Sequence, residues 1–220
     1  MPDADTPTLN QAADSYLRWY YDSAVWKRLH WRGVRTLKLP SDMWNYQEIV
    51  AERDCGWVVE TGTRHGGSAL FFADLLEARG AEGAVITVDI DDSALHPGAR
   101  THQRIRRLLG DSAGPAIRAQ IEALLAERAS PLFMILDSDH SAAHVRRELD
   151  SLVPLLRSGD TLVVEDTIVN GHPVRPGFGP GPMEAVAAFV AAHPGALAPD
   201  LERETKFGCT FAARGYFTRP

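Results

Sequence analysis

Short apolar runs alternate with longer amphipathic segments through residues 57–192 of the chain. Four of the apolar runs predict buried strands, at residues 57–59, 84–89, 131–137 and 161–166. The segments after them carry apolar side chains three and four positions apart, which predicts helices over residues 70–76, 117–128, 144–156 and 183–192. Strands that alternate with helices in this way indicate an α/β fold built on a parallel sheet.

The residues before the first strand show helical spacing and many aromatic side chains. After a loose terminus over residues 1–9, we predict a helix over residues 10–29 and a loop over residues 31–40. A second helix is expected to begin with Ser41 or Asp42 as its cap.

Four of the five tryptophans lie in this N-terminal part of the chain, at Trp19, Trp26, Trp31 and Trp44. We therefore expect a helical cap (residues 1–50) attached to a domain of residues 51–220. Core packing against the sheet explains this aromatic density most simply. The alternatives are that the cap covers a pocket or contacts a second subunit of a homo-oligomer.

Three further segments complete the prediction. Residues 98–109 are basic and poorly patterned, which indicates a solvated helix. Residues 170–182 are rich in glycine and proline and are expected to form a mobile loop. Residues 209–211 and 215–219 are predicted to close the fold as a pair of strands.

Composition excludes several classes of protein. The net charge of −6 leaves no basic surface for nucleic acid, and no apolar run approaches the roughly 18 residues that span a bilayer. The first residues are acidic and polar, so we expect a cytoplasmic protein without an export signal. Cys55 and Cys209 lie far apart and are expected to be reduced thiols.

A glycine-bearing turn follows the first strand. Glu60 ends the strand, and Gly62, Gly66 and Gly67 come next. This spacing is not Gly-x-Gly-x-x-Gly, so a dinucleotide site is the weaker interpretation. A carboxylate at this position suits the hydroxyl or amino groups of a cofactor, because it would repel a pyrophosphate. The alternative is a turn that binds no ligand.

Acidic residues end four consecutive strands: Glu60, Asp89, Asp137 and the pair Glu165 and Asp166. The carboxyl ends of parallel strands lie at one edge of a sheet, where ligands bind. Like charges gathered there repel one another unless a cation or donor groups neutralise them. The alternative is that one or two of them cap the helices that follow.

His140 lies three residues after Asp137, in the loop that faces these carboxylates. Three oxygen ligands with room for water are what magnesium requires, so Asp137, Glu165 and Asp166 are candidate ligands. An imidazole beside such a site can accept a proton from a hydroxyl whose pKa a metal has lowered. The alternative is that His140 makes only a local hydrogen bond at the start of the next helix.

Several motifs carry a resemblance to a known family. The Glu60-Thr61-Gly62 turn resembles the first motif of class I S-adenosylmethionine-dependent methyltransferases. Together with residues 36–48, 136–140, 164–167 and 177–182, it resembles the cephalosporin hydroxylase-like group of those enzymes, from about residue 20 to the end of the chain. That group is also similar to magnesium-dependent macrolide sugar O-methyltransferases of antibiotic pathways.

The resemblance implies a Rossmann-like, seven-stranded methyltransferase sheet with helices on both faces. It implies an S-adenosylmethionine-dependent and magnesium-dependent O-methyltransferase that acts on a hydroxyl of a small specialised metabolite, such as an antibiotic sugar or a nucleoside. Asp137, Glu165 and Asp166 would bind the metal, and His140, next to Asp137, would be the catalytic base. The residues expected at the cofactor are Glu60, Thr61, Gly62, Arg64, His65, Gly66, Ser68, Asp89, Asp111, Ser112 and Asp137. Among these, Asp89 would bind the ribose, and Asp111 and Ser112 would approach the adenine.

Two other functions remain open from the sequence. The first is an oxygenase or hydroxylase-pathway component of the cephalosporin 7-methoxylation type, but His65, His140 and His172 are too scattered for a two-histidine, one-carboxylate iron site. The second is a catalytically silent cofactor-binding subunit, and the complete set of acids around His140 argues against it. The role of Asp139 and the identity of the acceptor stay open, and Lys206 is expected to be solvated.

Overall fold

The computed structural model describes residues 9–220, so nearly all of the predicted loose terminus lies outside the described residues. Helix α1 spans Leu9–Asp22, and a short 3-10 helix spans Val25–Arg28. The prediction of one helix to residue 29 was therefore wrong. Ala24 takes a left-handed conformation with φ of 54°, which breaks the α-helix before the 3-10 turn begins.

The segment predicted as a loop contains a small antiparallel hairpin. Strand β1 spans His30–Trp31 and strand β2 spans Val34–Arg35, with Trp31 paired to Val34. The turn between them uses Gly33 at φ of 81°, a conformation that glycine adopts without strain. Trp31 packs edge-on against Phe71 at a ring-centroid distance of 5.0 Å, which ties the hairpin to the main fold.

Helix α2 spans Pro40–Glu52 and begins without a side-chain cap. The prediction that Ser41 or Asp42 caps it was wrong. Asp42 is buried inside the fold, where Oδ2 accepts a hydrogen bond from the Phe211 backbone N–H at 2.8 Å and Oδ1 accepts one from the Tyr216 hydroxyl at 3.0 Å. Proline at the first turn fixes the helix start instead, and the carboxylate of Asp42 ties α2 to the C-terminal segment.

A seven-stranded sheet forms the centre of the protein. Its strands are β3 (Trp57–Thr61), β4 (Ala84–Asp89), β5 (Ile105–Leu109), β6 (Leu132–Leu136), β7 (Thr161–Val164), β8 (Ala198–Pro199) and β9 (Tyr216–Thr218). Their order is β5-β4-β3-β6-β7-β9-β8, with β9 antiparallel to both of its neighbours and the other pairs parallel. The predicted α/β class and seven-stranded sheet are confirmed.

Six helices follow α2 along the chain and cover the two faces of the sheet. They are α3 (Gly67–Ala78), α4 (Pro97–Arg100), α5 (Pro115–Ala126), α6 (Ala142–Leu152), α7 (Pro182–Ala192) and α8 (Leu201–Thr205). The strands alternate between two buried clusters: Val59 packs with α5, α6 and α7, whereas Val58 packs with α2 and α3. The central strands β3, β6 and β7 therefore bury both of their faces, as the inner strands of a parallel sheet do. No helix within residues 9–220 is long and apolar enough to cross a membrane.

Two further predictions were wrong, those for residues 98–109 and for residues 209–211. Residues 98–109 form the short helix α4 and then β5, which pairs only with β4 and leaves Arg106 and Arg107 exposed at the edge of the sheet. An edge strand tolerates charged side chains, so the basic composition hid a strand. Residues 209–211 form no strand, and β9 pairs with β8 instead.

A third buried cluster joins the N-terminal helix to the segment after β7. Leu17 and Tyr20 of α1 pack there with Val169, Val174 and Phe211. Tyr20 and Tyr21 are therefore the aromatic residues of α1 that pack on this part of the fold, whereas Tyr16 and Trp19 are exposed. The division into a cap and a separate domain stays a prediction.

Burial raises the pKa of Asp42 to about 6, above the ordinary value of 3.8. The folded state therefore holds this proton more tightly than the unfolded chain, and the stabilisation it gives is complete below about pH 4 and lost as the pH rises through 6. We expect the free energy of unfolding of the wild type, relative to Asp42→Asn, to fall by up to about 3 kcal/mol over that range. Urea denaturation of both proteins from pH 4 to pH 7 measures this difference. A constant difference would contradict the buried, high-pKa carboxyl.

Candidate active site

The carboxyl ends of the parallel strands form one wall of a cleft of about 740 Å³. Strand register brings them level: Thr61 pairs with Val88 and with Leu136, and Leu136 pairs with Val164. The cleft is lined by Tyr21, Trp26, Arg35, Thr36, Leu37, Gly62, Thr63, Arg64, His65, Gly67, Ser68, Val88, Asp89, Ile90, Asp91, Gly110, Asp111, Ser112, Asp137, Ser138, Asp139, His140, His144, Arg147, Asp166, Arg175 and Phe211.

The glycine turn after β3 is held tightly against the neighbouring loop. Gly62 has φ of 87°, and a Cβ at this position would collide with the backbone carbonyl of Asp137. A glycine is therefore required both by the backbone conformation and by the close approach of the two loops. Thr61 contributes from the strand below, since its hydroxyl accepts a hydrogen bond from the Asp137 backbone N–H at 3.1 Å.

Three residues expected at the cofactor do not line the cleft: Glu60, Thr61 and Gly66. Glu60 is buried, and its Oε1 accepts a hydrogen bond from the Thr87 hydroxyl at 2.7 Å. Burial raises the pKa of Glu60 to about 6, although the charge of Lys38 opposes the rise. Glu60 and Thr61 are buried within β3, and a Cβ at Gly66 would collide with Ala99 of α4. The expected cofactor contacts of these three residues stay predictions.

The other expected cofactor residues lie along one half of the cleft. Asp89 ends β4, and its Oδ2 accepts a hydrogen bond from the Arg64 backbone N–H at 2.8 Å. Gly62, Arg64, His65 and Ser68 face the cleft from the turn and the start of α3. This half therefore combines the free N–H groups of a helix start with an acidic side chain.

At the far end of this half, Asp111 and Ser112 follow β5. Arg147 of α6 donates to Asp111 Oδ2 at 3.0 Å, and this hydrogen bond lowers the pKa of Asp111. Ser112 is buried, and its Oγ lies 3.1 Å from His144 Nε2. The structure thus places both residues at the cleft, as expected, and links both to α6.

His140 lies between two aspartates at the centre of the cleft. Its Nε2 is 3.2 Å from Asp137 Oδ1, and its Nδ1 is 3.1 Å from Asp166 Oδ2. Burial opposes protonation of the ring, but the charge of Asp166 and the hydrogen bond and charge of Asp137 raise the pKa of His140 to about 9. These three side chains offer ligand atoms that all lie within 4.8 Å of one another, a spacing that a metal ion could bridge.

Glu165 was expected beside Asp137 and Asp166 as a third metal ligand. Its oxygens do not belong to the set of ligand atoms that lie within 4.8 Å of one another, which Asp137, His140 and Asp166 provide. Its Oε1 accepts hydrogen bonds from Lys38 Nζ at 2.6 Å and from the Tyr46 hydroxyl at 2.9 Å. The carboxylate is buried beneath the cleft floor, where Lys38 compensates its charge. Its expected role as a ligand stays a prediction.

Lys38 is the main residue that sequence reasoning missed. Its side chain is almost fully buried, and Nζ also forms an ion pair with Asp137. Burial lowers the pKa of an ammonium group, but the charges of Asp137 and Glu165 outweigh it and raise the pKa of Lys38. The available signal was one cation within the apolar run Leu37-Lys38-Leu39. Asp139, which had no assigned role, accepts a hydrogen bond from the Ser141 backbone N–H at 2.7 Å and shapes the start of α6.

Aromatic and aliphatic side chains line the other half of the cleft, on the far side of His140. Tyr21 and Trp26 of the N-terminal segment stack at a ring-centroid distance of 5.6 Å, and Tyr21 contacts Phe211 edge-on at 6.2 Å. Leu37 and Arg175 complete this half. The N-terminal segment therefore forms part of the cleft wall.

Arg175 belongs to residues 170–182, which were expected to form a mobile loop. Glu184 of α7 anchors this segment at several points: Oε1 accepts from Asn170 at 3.0 Å and contacts His172 at 2.9 Å, and Oε2 accepts from the Gly181 N–H at 2.7 Å. Arg175 lies over the Phe178 ring at 4.7 Å from its centroid. The loop thus has a defined conformation, with its mobility untested.

Comparison with known proteins gives consistent matches. A family model described as Rhamnosyl O-methyltransferase/CmcI matches residues 23–220. Rhamnosyl O-methyltransferases of Mycobacterium tuberculosis and Mycobacterium leprae are each 47% identical over 207 residues, covering 94% of this chain and 84% and 90% of theirs. A structure of CmcI with magnesium and S-adenosylmethionine has a TM-score of 0.69 at 26% identity, over 88% of this chain and 77% of that one. The MycE methyltransferase of the mycinamycin pathway shares the fold, with a TM-score of 0.51 at 21% identity over 89% of this chain and 48% of its own.

We expect Lys38→Met to destabilise the protein by about 3–5 kcal/mol, because it leaves two buried carboxylates without their cation. Urea denaturation measures the change. Lys206→Met is the matched control, since Lys206 forms a more exposed ion pair with Glu48 and should cost less than about 1 kcal/mol. Equal losses in the two variants would contradict the structural role of Lys38.

Proposed function

The chain belongs to the Rhamnosyl O-methyltransferase/CmcI family of S-adenosylmethionine-dependent O-methyltransferases, and on that premise we propose that it methylates a sugar hydroxyl with the help of Mg²⁺. The observation that carries this proposal is the position of His140. It lies between two aspartates where the polar and aromatic halves of one cleft meet. A methyl donor in the first half and an acceptor in the second would meet at this imidazole.

The donor set at the centre of the cleft is consistent with a magnesium ion. Asp137 and Asp166 offer carboxylate oxygens within 4.8 Å of each other, and Glu165 lies beside them with a pKa that burial raises to about 8. Hard carboxylate oxygens are the ligands that Mg²⁺ prefers. We propose Asp137 and Asp166 as ligands, with Glu165 as a third. Mg²⁺ bound there would lower the pKa of an acceptor hydroxyl and orient its oxygen.

His140 is the residue placed to remove the proton of that hydroxyl. Both ring nitrogens contact carboxylates, which fix the plane of the ring. Although burial opposes it, the charges of Asp166 and Asp137 keep the imidazole protonated, so the ring would become a base when a bound cation offsets their effect on it. Asp137 contributes to catalysis by holding the ring, and most of the acceleration would come from positioning the hydroxyl against the methyl group.

The aromatic half of the cleft suits a sugar ring. The apolar face of a deoxysugar can pack on the stacked rings of Tyr21 and Trp26, while its hydroxyls face polar groups. Arg175, at the rim, is positioned to donate hydrogen bonds to sugar oxygens. The relatives that share 47% identity are named rhamnosyl O-methyltransferases, which supports a rhamnoside as the acceptor. We further propose that this sugar belongs to a glycosylated specialised metabolite.

We expect His140→Ala to lower the rate of methyl transfer by roughly 100- to 10,000-fold, the usual contribution of a general base. The measurement is methylation of p-nitrophenyl α-L-rhamnopyranoside by S-adenosylmethionine, followed by mass spectrometry. Binding of S-adenosylhomocysteine, measured by calorimetry, should change less than about threefold, because His140 lies beyond the cofactor half.

His172→Ala is the matched control, since His172 contacts Glu184 outside the cleft. Chelation by EDTA should abolish transfer by the wild type, and added magnesium should restore it. Transfer that persists in EDTA would contradict the metal role. Failure of the wild type to bind S-adenosylhomocysteine would contradict the methyltransferase function and would favour an oxygenase-type role.

We expect Trp26→Ala to raise the KM for the rhamnoside by about tenfold or more, because the sugar loses one of its two stacked rings. Affinity for S-adenosylhomocysteine should not change, since Trp26 lies in the acceptor half. Trp44→Ala is the control, because Trp44 is exposed on α2 and lies outside the cleft. An unchanged KM in Trp26→Ala would place the acceptor elsewhere.

A further inference from the structure

Glu148 is a buried carboxylate that neither the sequence motifs nor the proposed mechanism uses. It lies on α6 beneath the end of the cleft that Asp111 and Ser112 form, and its side chain is fully buried. One oxygen, Oε1, accepts hydrogen bonds from the hydroxyls of Ser112 at 2.5 Å and of Ser138 at 2.7 Å. The other oxygen, Oε2, has no hydrogen-bond partner among the described residues.

The directions of the hydrogen bonds around Glu148 follow from its neighbours. Arg147 Nη2 lies 2.9 Å from His144 Nδ1, and a guanidinium can only donate. Nδ1 of His144 therefore accepts, and the ring proton is on Nε2, which lies 3.1 Å from Ser112 Oγ. The same Nε2 lies 3.5 Å from Glu148 Oε1, so its proton can be donated to either group. Because a carboxylate only accepts, the single proton of Ser112 is directed to Glu148 in both cases.

Both serines are consequently restricted to one role toward a ligand. Ser112 and Ser138 line the cleft, yet each has its only hydroxyl proton committed to the same carboxylate oxygen. A hydroxyl whose proton is used in this way can still accept a hydrogen bond but can no longer donate one. The nearby carboxylate of Asp111 accepts one hydrogen bond at each oxygen, from Arg147 and from the Ala113 N–H, and like the serines it can only accept from a ligand.

We propose that Glu148 is a specificity-determining residue that makes this end of the cleft select a base with an amino group over one with a carbonyl. The inference rests on the proposed function, together with the expectation from the family resemblance that the adenine of the cofactor lies near Ser112. The exocyclic amino group of adenine can donate to Ser112 Oγ. The 6-carbonyl of hypoxanthine would instead place two acceptors against each other, with no proton between them.

The unpaired oxygen of Glu148 supports a functional role. A buried carboxylate oxygen without a partner costs stability, and a Met or Leu of similar size would pack into the same site without that cost. Departures of this kind are concentrated at functional sites. Glu148 acts here through the serines and not by direct contact, so it is a positioning residue.

The test compares the binding of S-adenosylhomocysteine with that of its deaminated analogue, S-inosylhomocysteine, by calorimetry. The wild type should prefer the adenosyl compound by about 10- to 100-fold, the range expected when a buried polar group loses its partner. In Glu148→Met the serine protons are free to turn toward the ligand, and the preference should fall below about threefold. Glu148→Gln retains an acceptor oxygen for the serines and should keep most of the preference.

Asp150→Asn is the matched control on the same helix, because Asp150 pairs with Arg146 at the surface and does not contact the serines. If Glu148→Met does not fold, Ser112→Ala decides: it should weaken binding of the adenosyl compound and leave that of the inosyl compound unchanged. Equal affinity of the wild type for both compounds, or an undiminished preference in Glu148→Met or Ser112→Ala, would overturn the inference alone. No binding of S-adenosylhomocysteine by the wild type would overturn the proposed function as well.

Discussion

The site depends on the ion pairs that the buried ammonium group of Lys38 forms. This group joins Asp137, at the end of β6, to Glu165, just after β7, through two ion pairs in a region shielded from water. Without this cation, three carboxylates at adjacent strand ends would repel one another at close range. The two ion pairs of Lys38 thus hold the carboxylates of two neighbouring strand ends together in one place.

The cleft brings together parts of the chain with different physical character. Its polar half is built on the rigid carboxyl edge of the sheet, where Gly62 packs against the carbonyl of Asp137 and fixes the loops. Its aromatic half is supplied by the N-terminal segment and by Phe211, which share a cluster that does not reach the centre of the sheet. The two halves of the cleft are therefore built from separate parts of the fold.

At the end of the cleft formed by Asp111 and Ser112, the directions of the hydrogen bonds determine whether the protein can donate to a ligand or only accept from it. Arg147 has only donors and Glu148 only acceptors, so the ring proton of His144 is on Nε2 and the hydroxyl proton of Ser112 is directed to Glu148. The two residues at the ends of this chain lie next to each other on α6. One helix therefore controls what the serines of two different loops can offer to a ligand.

The sequence by itself determined the α/β fold and the gathering of acids at one edge, because these follow from local periodicity and from the rule that parallel strands end together. It also placed His140 beside Asp137, three residues away. Only the tertiary structure showed that Lys38 lies between Asp137 and Glu165. These two residues are 99 and 127 positions after Lys38 in the sequence. Ion pairs between residues so far apart leave no periodic signal in the sequence. The basic strand β5 was predicted as a helix for a related reason, because its place at the edge of the sheet is a property of the whole fold. The same holds for Glu148, because its proposed role depends on the hydrogen bonds that it accepts from residues on other loops.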